Sequence, residues 1–162
     1  MEDILNIVYI FPIAITLHNI EEALWLPEWS QHAAKYHKPV KRNEFHFAVL
    51  CVTILAYLIS FSYAFNSHIE IIKYAFWGFV GAMVINAIFP HLIATIVMRK
   101  YALGVLTGMF INIPCFSLMI TYAIKNDLIS VRELIISTVI VGGVLISILP
   151  VLFAIGRKIV KF

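Results

Sequence analysis

The chain is patterned as long apolar runs separated by short polar connections. Five runs are long enough to cross a bilayer: Ile4 to Trp25, Phe45 to Phe65, Ile69 to Met98, Tyr101 to Ile124 and Leu134 to Ile155. A helical span needs about 20 mostly apolar residues at a rise of about 1.5 Å each. In lipid each run must close its own backbone hydrogen bonds, which predicts helices, and the runs are too long and the connections too few for a barrel. The third run contains Pro90, which cannot donate to the Asn86 carbonyl, so a tilt or a kink is expected there. The first run opens Met1-Glu2-Asp3 and carries His18, Glu21 and Glu22 where a cleavage site would need small residues, so it reads as a retained helix. The expected fold is all-α, a polytopic transmembrane helical bundle of about five spans. With no internal repeat or linker, residues 1–162 read as a single domain.

Composition agrees with this pattern. Hydrophobic residues make up 62% of the chain and charged ones 13%, against about 45–50% and 25% in soluble domains. The mean hydropathy is +0.94. Cys51 and Cys115 sit inside apolar runs and offer no disulfide framework. A scattered net charge of +3 excludes a nucleic-acid groove. Of the 12 basic residues, nine lie on one side of the predicted topology: Lys35, Lys38, Lys41, Arg42, Arg99, Lys100, Arg157, Lys158 and Lys161. The other side has Lys73, Lys125 and Arg132 with the acids Glu2, Asp3, Glu70, Asp127 and Glu133. The positive-inside rule then places the protein in the cytoplasmic (plasma) membrane with its N-terminus outside and its C-terminus cytoplasmic. Trp25, Trp29, Tyr36 and Tyr101 fit an interfacial belt. Glu21 and Glu22 remain as the acids committed to a span.

Ionisable residues inside a membrane cost roughly 2.5–3.5 kcal/mol each at a helix centre and usually have partners. Here they gather at one depth. His18, Glu21 and Glu22 close the first run, His46 opens the second, and His91 lies roughly 12 Å in from Arg99 on the third. The two carboxylates stand three and four residues after His18 and share its helix face. An interfacial His or Glu often only snorkels to headgroups; five of them at one level on three helices argue for a site. His18, His46 and His91 with Glu22 would suit a divalent metal, Zn²⁺ first and Fe or Mn as alternatives. Glu21 or Glu22 could act as general base. Asn86, Thr107 and Asn112 are placed to hold substrate or to orient ligands. His32, His37 and His68 fall in connections and read as solvated. Gly104 and Gly108 form a GxxxG that reads as close helix packing. The fifth run, with Ser137, Thr138 and Ser147 as its polar groups, reads as scaffold.

The stretch His18-Asn19-Ile20-Glu21-Glu22 at the end of a first transmembrane helix resembles the HXXEE-motif family of small integral membrane proteins. The family pattern also has an Asn–His pair and an Arg-x-x-x-Pro-Gly motif. Asn86 and His91 resemble the pair, with four residues between them where the family has three. Arg99-Lys-Tyr-Ala-Leu103-Gly104 resembles the third motif, with Leu in place of Pro. The resemblance runs from about Ile4 to Thr107. It implies an uncharacterised membrane protein with an enzyme site at these motifs, and it adds Arg99 as a cation for a lipid phosphate or a developing oxyanion.

Two functions of different class follow. The first is a metal-dependent hydrolase or lipid-modifying enzyme acting on a lipid-like substrate in the membrane. The second is a protein that binds or transports a metal ion or proton through the same cluster. A transporter usually carries an inverted repeat and a midplane site, and this sequence offers neither. Paired His haem ligation suits the adjacent glutamates poorly, and di-iron sites usually take more carboxylates.

Overall fold

A computed structural model describes the backbone of residues 2–32 and 40–159 and the side chains of residues 7–24 and 40–159. Among the described residues, five helices are long and apolar enough to cross a membrane. These are α1 (Glu2–His32), α2 (Arg42–Asn66), α3 (Glu70–Met98), α4 (Val105–Lys125) and α5 (Val131–Ile159). No strand occurs among the described residues. The side chains of Glu2, Asp3, Trp25, Trp29, His32, Lys35, Tyr36, His37, Lys38 and Lys161 lie outside the described residues. α3 is central: it packs on α2, α4 and α5, while α1 lies against α2 and α4.

The outer surface is unlike that of a soluble protein. Phe65, Ile71, Phe110, Leu118 and Ile146 are all more than two-thirds exposed. So much continuous apolar surface marks a lipid-facing protein. The interior is a packed aromatic cluster. The Phe11 ring meets Phe76, Phe79 and Phe116 at centroid separations of 5.6, 5.1 and 5.2 Å. Tyr63 stacks on Phe76 at 4.6 Å and accepts the Trp77 indole N–H at 3.0 Å. Edge and offset ring geometries of this kind add about 0.5–1.5 kcal/mol per pair beyond burial.

Two helices depart from regular α geometry. In α3, Phe89 is extended (φ −124°, ψ 116°), as expected of a residue that precedes a proline, and the Phe89–Pro90 peptide is cis. The surrounding turn, Ala87–Leu92, is π-helical. The kink expected at Pro90 is therefore present, one residue before it. α4 does not begin at Tyr101. Tyr101 to Gly104 form a non-helical turn, Gly104 has φ +84°, and the helix starts at Val105. α4 has its own π-helical turn at Gly108–Asn112. The two widened turns abut, since a Cβ on Gly108 would stand 3.1 Å from the Ala87 Cβ.

The ends of α5 are pinned by side chains. At its start Ser130 and Glu133 form a capping box: the Ser130 N–H donates to the Glu133 carboxylate at 2.8 Å and the Glu133 N–H to Ser130 Oγ at 3.2 Å. Lys73 and the Tyr74 hydroxyl reach the same carboxylate from α3. At the other end Arg157 donates to Glu44 at 2.9 Å. Glu44 lies in the first turn of α2 and is buried. Glu44, which the sequence places just ahead of the second apolar run, is thus a buried acid, and its partner comes from α5.

α3 and α5 meet across glycines, as befits a scaffold helix. A Cβ on Gly78 would lie 2.6 Å from the Ser137 carbonyl oxygen, a backbone atom that cannot step aside. Gly143, by contrast, has open space around it. Gly78→Ala is expected to lower stability by about 1–3 kcal/mol, read as earlier unfolding in a detergent titration. Gly143→Ala should leave it unchanged or raise it by up to about 1 kcal/mol, as for a helix-interior glycine with room for a methyl group. Equal effects would mean that the α3–α5 approach is not tight.

Candidate functional site

The polar residues that meet inside the bundle come from α1, the kink of α3 and the start of α4. α1 presents His18, Glu21 and Glu22 on one face because offsets of three and four residues return to the same side of a helix. Their fates differ. The Glu21 carboxylate takes four hydrogen bonds, from the Tyr101 hydroxyl, the Gly104 N–H at 2.8 Å, the Thr107 N–H at 2.8 Å and the Thr107 hydroxyl. Gly104 and Thr107 bracket the first turn of α4, whose leading N–H groups have no intrahelical acceptor. Glu21 therefore caps α4 from another helix, with a charge that complements the helix dipole. Burial, then the neighbouring Glu21 carboxylate, pushes the Tyr101 phenol up to about 12, so it stays a donor over the ordinary pH range.

Glu22 faces the other way. Its carboxylate lies 3.1 Å from His91 Nε2, and its side chain is 14% exposed. His18 and His91 are both buried, and their rings meet edge to face at a centroid separation of 5.0 Å. Asn86 Nδ2 stands between them, 3.4 Å from His18 Nε2 and 3.2 Å from His91 Nε2. His18 Nδ1 lies 2.9 Å from Thr107 Oγ1. A Cβ on Gly104 would sit 2.8 Å from His91 Nδ1. One ligand atom each from His18, Glu22 and His91 falls within 4.8 Å of the other two.

Among the sequence candidates, the structure brings together His18, Glu21, Glu22, Asn86, His91 and Thr107. It does not bring His46 to them. The His46 Nε2 bonds the Ala23 carbonyl at 2.7 Å, so this ring closes the α1–α2 contact instead. Arg99 is exposed, in left-handed conformation at the end of α3 (φ 50°), and no hydrogen bond or ion pair joins it to the cluster among the described residues. Asn112 is fully buried further along α4, with no hydrogen-bond partner for its amide atoms. His68 is exposed. Gly104 is not a helix-packing position: its positive φ makes the turn, and its missing side chain leaves room for both imidazoles. Sequence reasoning missed Tyr101 as a Glu21 donor and the backbone of the Leu103–Gly104 turn. The signal for both was a glycine at the head of an apolar run near a buried acid.

The molecule is thus a polytopic helical membrane protein with a buried His/Glu cluster at one end of the bundle. The chain belongs to the family described as "Protein of unknown function with HXXEE motif", which matches residues 9–120. It is 57% identical over 149 residues to the uncharacterized protein YrkK of Bacillus subtilis (strain 168), covering 92% of this chain and 94% of that protein. No solved structure matches.

Gly104→Ala tests the turn. A Cβ there would lie 2.7 Å from His91 Cε1 and 2.9 Å from His18 Cε1. Left-handed backbone adds about 1–2 kcal/mol for a non-glycine residue. The substitution should destabilise the protein by about 2–4 kcal/mol in all, measured by thermal unfolding in detergent. Wild-type stability in this variant would show that the turn does not confine the imidazoles.

Proposed function

We propose that the protein is a divalent-metal-dependent membrane hydrolase or lipid-modifying enzyme, with His18, His91 and Glu22 holding the ion. The observation that carries this reading is the convergence of one ligand atom from each within 4.8 Å. Ligand atoms at zinc-type bond lengths of about 2.0 Å sit about 3.3 Å apart around a tetrahedral ion, so modest side-chain adjustment closes the set. Two His and one Glu with a further open position is the donor set of catalytic zinc sites and of non-haem iron sites alike, so Zn²⁺ is proposed for the hydrolytic chemistry, with Fe or Mn as alternatives. Such an ion supplies a Lewis acid and an activated water for hydrolysis.

The chain's own residues set the surroundings. His91 Nε2 and the Glu22 carboxylate face each other at 3.1 Å, a pairing of two acceptors that a cation between them stabilises. Asn86 directs its amide at both imidazoles and can orient a substrate carbonyl beside them. With Glu21 saturated by α4, Glu22 is the carboxylate of the motif left to hold the ion. The nine basic residues favour a cytoplasmic setting for this end of the bundle. Arg99, exposed on that end, suits an anionic headgroup. A lipid-like substrate reaches this depth from the side while water enters from the polar end.

Elemental analysis of the purified protein after equilibration with Zn²⁺, Fe²⁺ and Mn²⁺ tests the reading. About one ion per chain is expected in wild type and in His46→Ala. In His18→Ala and His91→Ala the affinity should fall by more than the roughly 10–100-fold typical of an outer-shell change. Wild type that takes up none of these ions overturns the proposal. Uptake of the bound ion into proteoliposomes, abolished in Glu22→Gln, would replace the enzyme with a transporter.

A further inference from the structure

Hydrogen-bond direction fixes more of this site than the ligand set alone. An ionised carboxylate only accepts, so each of the four groups on Glu21 donates to it. The Thr107 hydroxyl has one hydrogen, and that hydrogen points at Glu21 Oε2. Toward His18 Nδ1, at 2.9 Å, the same oxygen can only accept. His18 Nδ1 must therefore carry the ring proton, and in a neutral imidazole Nε2 is then an unprotonated acceptor. A second contact agrees with this independently: the nitrogen facing His18 Nε2 is the Asn86 amide, a donor with two hydrogens. The other hydrogen reaches His91 Nε2 at 3.2 Å.

We infer that Glu21 and Thr107 are positioning residues that hold His18 as its Nδ1–H tautomer and turn the Nε2 lone pair toward Glu22 and His91. A free imidazole in water favours the opposite tautomer, with its proton on Nε2, so the contact with Thr107 reverses an intrinsic preference. The two glutamates of the motif then divide the work. The one three residues after His18 fixes the imidazole through Thr107 and caps α4, and the one four residues after it faces the cluster. The inference deepens the metal reading in that the oriented lone pair serves a ligand, but the tautomer itself does not require a metal.

Nitrogen-15 NMR of histidine-labelled protein in lipid nanodiscs, treated with chelator at neutral pH, reads the tautomer. His18 is assigned by the signals lost in His18→Asn. Wild type should show a protonated Nδ1 and an unprotonated Nε2 at His18. Thr107→Val removes the hydroxyl at nearly constant volume and should move His18 toward the Nε2–H form. Thr107→Ser keeps the relay and should retain the wild-type signals, which separates lost tautomer control from a general packing defect. A wild-type His18 with its proton on Nε2, or a Thr107→Val protein with wild-type ring signals, overturns the inference. A Zn²⁺ titration of the same samples supplies the second reading: Thr107→Val should weaken affinity by about 10–100-fold, with Thr107→Ser near wild type. If wild type binds no metal, the proposed enzyme fails while the NMR result still decides the tautomer.

Discussion

The capping of α4 by a glutamate from α1 is the contact on which the rest of this end of the bundle depends. A helix that begins buried within a bundle has leading N–H groups that need acceptors from the protein itself. Gly104, at the head of α4, has no side chain to offer. Glu21 supplies the acceptor from another helix, through four donors that include two backbone N–H groups. Charge-assisted hydrogen bonds contribute roughly 1.5–3 kcal/mol each, so this carboxylate ties α1 to α4 strongly and fixes where the Leu103–Gly104 turn lies. That turn in turn confines both imidazoles. The absent side chain of Gly104 thus does two things, making the chain reversal possible and leaving the volume that His18 and His91 fill.

Irregular backbone is tolerated at membrane depth only where protein surrounds it. Both π-helical turns obey this, one at the kink of α3 and the other near the start of α4, packed against each other at Ala87 and Gly108. The break before Pro90 re-aims the last part of α3, so that Asn86 and His91 reach the same cluster although five positions separate them. On an undistorted helix that spacing places two residues well apart in azimuth, because neighbours recur at three and four. The widened turn is what lets both face His18. The Asn–His spacing and the proline are consequently one feature, seen once as a motif and once as geometry.

What the sequence made legible was depth, and what it concealed was azimuth. Counting residues from the charged connections placed His18, Glu22, His46 and His91 at one level, since level follows from rise per residue alone. Which way each side chain turns depends on how helices rotate against one another, and no single run carries that information. His46 shares the level but turns to the Ala23 carbonyl. Glu21 and Glu22 are indistinguishable as letters, yet one is consumed by the start of α4 and the other is not. Glu44 was hidden for a different reason: Lys41 and Arg42 beside it give its neighbourhood the look of a polar connection, and its partner Arg157 is 113 residues away. The five spans were readable because lipid imposes a length and a polarity on each run independently. The true start of α4 was not, because apolar Ala102 and Leu103 continue the hydrophobic run through a turn that only Gly104 betrays.

The construction around His18 bears on which cation the cluster suits. A single proton would satisfy Glu22 and His91, which stand 3.1 Å apart, and would make no demand on His18. A divalent ion takes all three groups and needs an unprotonated nitrogen from each imidazole. The contact on the far side of the His18 ring, from Thr107, is of the kind that orients a histidine ligand from behind. The Glu22–His91 pair can share a proton without His18. The tautomer that Thr107 sets at His18 therefore suits the proposed metal ion, while Glu21 and the first turn of α4 are joined by their cap whether or not an ion binds.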